Sequence, residues 1–287
     1  MMPLRRFAIH QPKNLAEACD MLTHYGEKGR LYAGGTELLL AMKHNLLRYD
    51  HLVDIKVVDG LNQIDLSDSN LVIGATVTHR AIEKSPLVRE RLPVLAEMES
   101  HVANVRVRVT GTLGGNLCFA EPHSDPAALL LALGARAQIE GRSGKKIVPL
   151  KEFIVGPYET CLAVDEVLSA VEIPIPPQTA RAAYLKFQVH ERPTLGLALA
   201  LDTEGNGETI KSARAVVGSV CLTPCRSDKA DALLVGPKAQ VEKQLRDAAE
   251  ILADEADLAD DLEGGADYKR HLIGVFLKRA FLKAISK

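Results

Sequence analysis

The sequence predicts a mixed α+β chain in three parts, and three observations carry this. Over residues 1–57, strand-like apolar runs alternate with segments of helical period, which marks a small α/β unit. Pro174-Ile175-Pro176-Pro177 reads as a stiff linker, followed by strands at 183–189, 195–201 and 213–220, so an antiparallel sheet is expected from residue 178. The end of the chain carries Leu272, Ile273, Phe276, Leu277, Ala280, Phe281 and Leu282 at helical spacing, so helices close the fold. The expected parts are 1–57, 58–177 and 178–287.

Bulk properties narrow the class. A chain of 287 residues exceeds what one core comfortably supports, and 47% hydrophobic with 25% charged residues is a globular composition. No apolar run approaches the ~20 residues of a membrane span. A net charge of −2, with basic residues dispersed, speaks against a nucleic-acid partner. The start, Met1 to Pro12, is too short and broken for a signal peptide, and a cytoplasmic location is expected. The five cysteines at irregular spacing read as structural thiols, and the histidines, among them His10, His79, His101, His123, His190 and His271, show no metal-ligand spacing.

In order, residues 4–10 read as a strand and Asn14 as the cap of a helix from Leu15, with Gly26 and Gly29 ending it. A strand at 30–33 runs into Gly34-Gly35, and a helix at 38–43 leaves it. Strands follow at 51–55 and 71–77, then a helix capped by Thr78, and helical pieces at 93–98 and 102–105. After a second glycine pair, Gly114-Gly115, Ser124-Asp125-Pro126 marks a helix start. Strands are expected at 135–140, 146–149 and 167–173, and helices at 228–234, 238–253 and 267–285.

The two glycine pairs carry the chemistry. Each follows an apolar run and stands beside a hydroxyl, Thr36 or Thr112, so each suits a turn with positive φ whose free N–H groups meet an anion. Two such cradles suggest a ligand with two halves, or a pyrophosphate held from both sides. Neither the spaced-glycine dinucleotide fingerprint nor a P-loop lysine is present.

Four ordered motifs then give a resemblance. Ala33-Gly34-Gly35-Thr36-Glu37-Leu38-Leu39, Thr110 to Asn116 with Ser124-Asp125-Pro126, Phe153 to Thr160, and Glu166 to Pro174 together resemble the FAD-binding medium subunit of molybdenum hydroxylases. The resemblance spans essentially the whole chain. It implies a PCMH-type FAD-binding unit of two α/β subdomains, a C-terminal domain of antiparallel sheet plus helices, and noncovalent FAD. By position it implies flavin contacts from Tyr32, Ala33, Gly34, Gly35, Thr36, Glu37 and Leu38, and from Gly111, Thr112, Gly114, Gly115 and Asn116, around the pyrophosphate. Ser124 and Asp125 would lie with the adenosine half, Leu168 and Val102 against a ring, and Lys186 near the isoalloxazine. Glu37 is expected at a ribose hydroxyl. The run Gln188 to Pro193 departs from the basic pair and aspartate common in relatives. No catalytic residue and no metal ligand is assigned to this chain.

The implied role is electron transfer. A large subunit with the molybdenum cofactor oxidises substrate, a small iron–sulfur subunit relays electrons, and FAD here passes them on, in a complex expected as a dimer of heterotrimers. Two other readings stand beside it: a self-sufficient flavin oxidase or dehydrogenase with its own substrate pocket, and a nucleotide-binding module without redox activity.

Overall fold

The structure is a computed structural model that describes residues 4–189, 191–258 and 260–286. Met1 to Pro3, part of the start read above as lacking a signal peptide, and His190 lie outside the described residues.

The chain opens with three parallel strands, β1 (Ala8–His10), β2 (Gly29–Tyr32) and β3 (His51–Asp54), in the order β1-β3-β2. Parallel neighbours need helical crossovers, here α1 (Leu15–Tyr25) and α2 (Leu38–Lys43). Asn14 caps α1 by accepting from the Glu17 N–H at 2.9 Å, and Gly26 ends it at φ 53°. The first strand is shorter than the sequence suggests, because residues 4–7 pair with nothing regular.

A second sheet is antiparallel and joins β4 (Ile64–Ser67), β5 (Asn70–Gly74), β10 (Glu166–Pro174), β6 (Arg136–Gly141) and β7 (Gly144–Pro149) in that order. Between β5 and β6 lie α3 (His79–Lys84), α4 (Pro86–Arg91), α5 (Pro93–Ser100), α6 (Val105–Thr110), α7 (Leu113–Phe119) and α8 (Asp125–Ala132). A short α9 (Leu150–Phe153) and the pair β8 (Ile154–Gly156) and β9 (Glu159–Thr160) precede β10. The main core lies between this sheet and the helices, around Leu71, Ile73, Leu95, Met98, Leu113 and Phe153.

The third sheet, β11 (Ala180–Gln188), β12 (Pro193–Glu204), β13 (Thr209–Gly218) and β14 (Cys225–Arg226), is also antiparallel, with β15 (Gly236–Pro237) on β13. Strand β12 is apolar on both faces because both are covered. Leu195, Leu197, Leu199 and Leu201 pack with α11 (Lys238–Glu255) and α12 (Ala266–Ile285), while Ala198 joins the main core beside α8. A short α10 (Asp228–Leu233) completes the helices.

The α+β expectation, with antiparallel sheet and helices last, is borne out. Two further local expectations are not. The helix placed at 102–105 begins only at Val105, because Asn104 is its cap and accepts from the N–H groups of Arg106 and Val107. The second glycine pair lies inside α7 instead of in a turn. Strand β4 and helix α4 have no counterpart in the expectation.

Candidate functional site

The first loop runs from the end of β2 to the start of α2. Gly35 sits at φ 67°, in the left-handed region where glycine has no steric penalty. A Cβ there would stand 2.4 Å from Tyr32 Cε2, so the Tyr32 ring lies directly against it. Lys56 holds the loop from the side: its Nζ donates to the Ala33 carbonyl at 3.0 Å, pairs with Asp54 at 2.7 Å and lies 4.0 Å from the centre of the Tyr32 ring. Glu37 takes the cap position of α2 but its side chain makes no capping bond. The Leu39 N–H donates to the Gly35 carbonyl at 3.0 Å, so the loop itself closes part of the first turn, and no side chain caps the rest, with a lysine nearby. Leu38 turns inward with Met42 and Leu52 and anchors the helix.

The second loop is built differently. Thr112 caps α7, accepting from the Gly115 N–H at 3.0 Å, so one of its acceptor positions is already used. Gly114 and Gly115 are helical and neither has a positive φ, which corrects the expectation of a turn with positive φ. Gly114 is buried, and a Cβ there would stand 2.6 Å from the Ala75 carbonyl oxygen; this glycine lets α7 pack on the strand end. Gly115 is exposed, and a Cβ there would meet only Thr112 Oγ1, at 2.8 Å. Asn116 follows, accepting a hydrogen bond from Ser124 Oγ at 2.5 Å through Oδ1.

The two loops meet. A Cβ on Gly34 would stand 2.4 Å from the Thr110 carbonyl oxygen and 2.6 Å from Gly111 Cα, and one on Gly111 would lie 3.4 Å from Thr36 Oγ1. Residues far apart in sequence thus form one surface, with the uncapped start of α2 on one side and the exposed face of Gly115 on the other. The approach at Gly34 is protein against protein, which a glycine permits, and it leaves Gly115 as the glycine whose free side is exposed.

Residues 5–176 match the family model described as the FAD binding domain in molybdopterin dehydrogenase, and residues 183–284 match the CO dehydrogenase flavoprotein C-terminal domain. The chain belongs to this FAD-binding family. It is 35% identical over 277 residues to the carbon monoxide dehydrogenase medium chain of Hydrogenophaga pseudoflava, covering 96% of each chain. It is 28% identical over 283 residues to the nicotine 6-hydroxylase medium subunit of Paenarthrobacter nicotinovorans, covering 99% of this chain and 98% of that one. Among solved structures, H. pseudoflava carbon monoxide dehydrogenase lacking the Mo-pyranopterin moiety superposes with a TM-score of 0.93 at 33% identity, and Pseudomonas putida quinoline 2-oxidoreductase with 0.92 at 30%, each over 99% of both chains. The recognition made from the motifs is borne out, and FAD is the cofactor the family domain serves.

Within this FAD-binding fold the remaining site residues separate into groups. Asp125 and Lys186, expected at opposite halves of the flavin, are an ion pair at 2.9 Å, so they occupy one place and not two. Asp125 also accepts from Tyr184 OH at 2.6 Å, and Lys186 donates to the His101 carbonyl at 2.6 Å. The cluster ties α8 to β11, and burial together with the Asp125 charge pushes the Tyr184 phenol well up from its ordinary pKa. Ser124 stands before α8 but makes no capping bond, because its hydroxyl points to Asn116. Leu168 and Val102 are 2% and 6% exposed in the main core, so the ring contact expected of them finds little free surface. Glu37 is partly exposed and its carboxylate lies 3.5 Å from Arg192.

Arg192 joins a network that the sequence pattern does not disclose. Its guanidinium pairs with Glu121 at 2.7 Å, and Glu121 accepts from the His123 N–H at 3.0 Å and faces His123 Nδ1 at 2.9 Å. Arg192 comes from the run that departs from the relatives' pattern, and it gives Glu37 and Glu121 a shared counter-charge. Tyr158, at φ 61°, has its phenol pushed up by burial and then by Glu121. Lys56 was equally hidden, since nothing in its neighbourhood repeats the glycine motif. Among the described residues no group of His, Cys, Asp and Glu is arranged to hold a metal ion, and no helix is long and apolar enough to cross a membrane.

Proposed function

We propose that the chain is the FAD-carrying electron-transfer subunit of a molybdenum hydroxylase complex, and that its two glycine loops hold the flavin pyrophosphate. The observation that supports this most is the meeting of the loops, where a Gly34 side chain would lie 2.4 Å from the Thr110 oxygen. FAD, when bound, supplies a carrier that takes up electrons and delivers them to a separate acceptor.

The chain's own residues do the holding. Gly34, Gly35, Thr36 and Glu37, ahead of Leu38, offer backbone amides at the uncapped start of α2; Gly111, Thr112, Gly114, Gly115 and Asn116 form the opposing face. Tyr32 and Ala33 set the height of the first loop through Lys56, and Arg192 screens Glu37. Asp125 and Lys186, with Ser124 alongside, brace the wall between the flavin-binding parts and the C-terminal part. We take 1–57 and 58–177 as the flavin-binding subdomains and 178–287 as the C-terminal domain.

Molybdenum cofactor and iron–sulfur clusters belong, on this reading, to a large and a small partner chain in the cytoplasm, assembled as a dimer of heterotrimers. The test is purification from the native host through a tag on this chain. Two copurifying chains bearing molybdenum and iron–sulfur clusters, with FAD in equal amount to this chain, are expected. Turnover of an organic substrate by this polypeptide alone would overturn the reading.

A further inference from the structure

Beneath the second loop lies a buried pair with no part in the flavin contacts described so far. His79 opens α3 and Glu99 lies on α5; Nδ1 and Oε2 are 2.7 Å apart, and the two residues are 2% and 0% exposed. The His79 main-chain N–H donates to the Gly111 carbonyl at 3.1 Å, and its ring carbon Cδ2 stands 3.2 Å from where a Gly111 Cβ would be. The imidazole is therefore the floor under Gly111, which itself touches the first loop. The other oxygen of Glu99 is buried without a hydrogen-bond partner among the described residues, so the imidazole alone answers this carboxylate.

Other charges face the pair from every side. Arg108 approaches from α6 and Asp125 from α8, the latter bound to Tyr184 and Lys186 of β11. Arg80, Glu83 and Lys84 lie on α3 itself, with Glu83 3.5 Å from Arg108. Burial presses the imidazole pKa down, but the charge and hydrogen bond of Glu99, with Asp125 behind them, outweigh burial and Arg108, and the net shift is upward.

We propose that His79 and Glu99 are a proton-holding pair that positions Gly111 and Thr112 and thereby makes flavin retention depend on pH. This rests on the flavin reading above. With the proton present the pair is an imidazolium against a carboxylate. Once it leaves, a carboxylate stays buried against a neutral ring, and a buried charge without its counter-charge is strongly disfavoured. Moving the Gly111 backbone off its floor relieves that state and opens the cradle. The sign follows from linkage between the two states of the cradle: with the imidazole raised in the closed cradle and ordinary in the opened one, closure is favoured fully below the ordinary value, and the contribution is lost as pH rises through the raised one.

The test is the FAD dissociation constant of the intact complex, followed by flavin fluorescence as pH is raised from below the ordinary histidine value. The wild type is expected to lose up to about tenfold in affinity per pH unit above the raised value, the slope of one linked proton. Glu99→Gln and His79→Gln are expected to bind FAD more weakly but with a flat profile. A flat wild-type profile, or the same slope in wild type and variants, overturns the inference, and the wild-type profile decides alone if the variants do not assemble. A wild-type complex that takes no FAD at any pH overturns the flavin reading instead.

Discussion

In the first glycine loop Gly35 takes a left-handed turn and the helix after it starts without a cap; in the second, the glycines are themselves the first turn of a helix that Thr112 caps. The same dipeptide thus does two jobs. Gly34 lets the first loop touch Thr110 and Gly111 of the second, and Gly35 turns the backbone into α2. At Gly114 and Gly115 the pair removes side chains, one toward Ala75 and one toward the shared surface. A glycine pair in sequence marks a place where a Cβ is unwelcome, and only packing tells whether protein or ligand occupies the space.

Substitutions sharpen this contrast in order of effect. Gly34→Ala drives a methyl into the Thr110 carbonyl of the facing loop and is expected to cost about 3 kcal/mol in denaturant unfolding, with loss of bound FAD. Gly114→Ala meets the Ala75 carbonyl and is expected to cost about 2 kcal/mol, with flavin affinity falling only as far as the fold does. Gly115→Val is expected to do the reverse. It is expected to cost about 1 kcal/mol of stability, since its Cβ presses on the Thr112 cap oxygen 2.8 Å away, while FAD binding in isothermal titration drops about tenfold or more as its branches fill the exposed face. Thr112→Ala, the mildest, removes the cap and is expected to lower stability by about 1 kcal/mol. Equal losses of flavin affinity from Gly114→Ala and Gly115→Val would erase the distinction between the glycine packed on protein and the one on the exposed surface.

Much of the scaffold was legible from local chemistry. The Asn14 cap, the bounds of α2, the Thr78 cap and the strands around the Pro174 linker follow from cap residues and periodicity, which act within a few positions. The length of α7 was not, because two glycines read as breakers unless the packing of Gly114 on Ala75 is known. The same limit applies to the site. The likeness of the two glycine loops points to a shared ligand, but Lys56, Arg192 and Glu121 come from separate segments and carry no shared motif. Asp125 and Lys186 were assigned apart because their ion pair joins α8 to β11, a contact that no local pattern encodes.

The central claim is that both glycine loops hold one noncovalent FAD. Its most direct measurement is the flavin content of the complex isolated with its native partner chains, read by absorbance before and after acid denaturation. One FAD for each copy of this chain, released on denaturation in the wild type and clearly lowered in Gly115→Val, is the predicted result. A full complement of FAD in Gly115→Val, or a wild-type complex without flavin, would contradict the account.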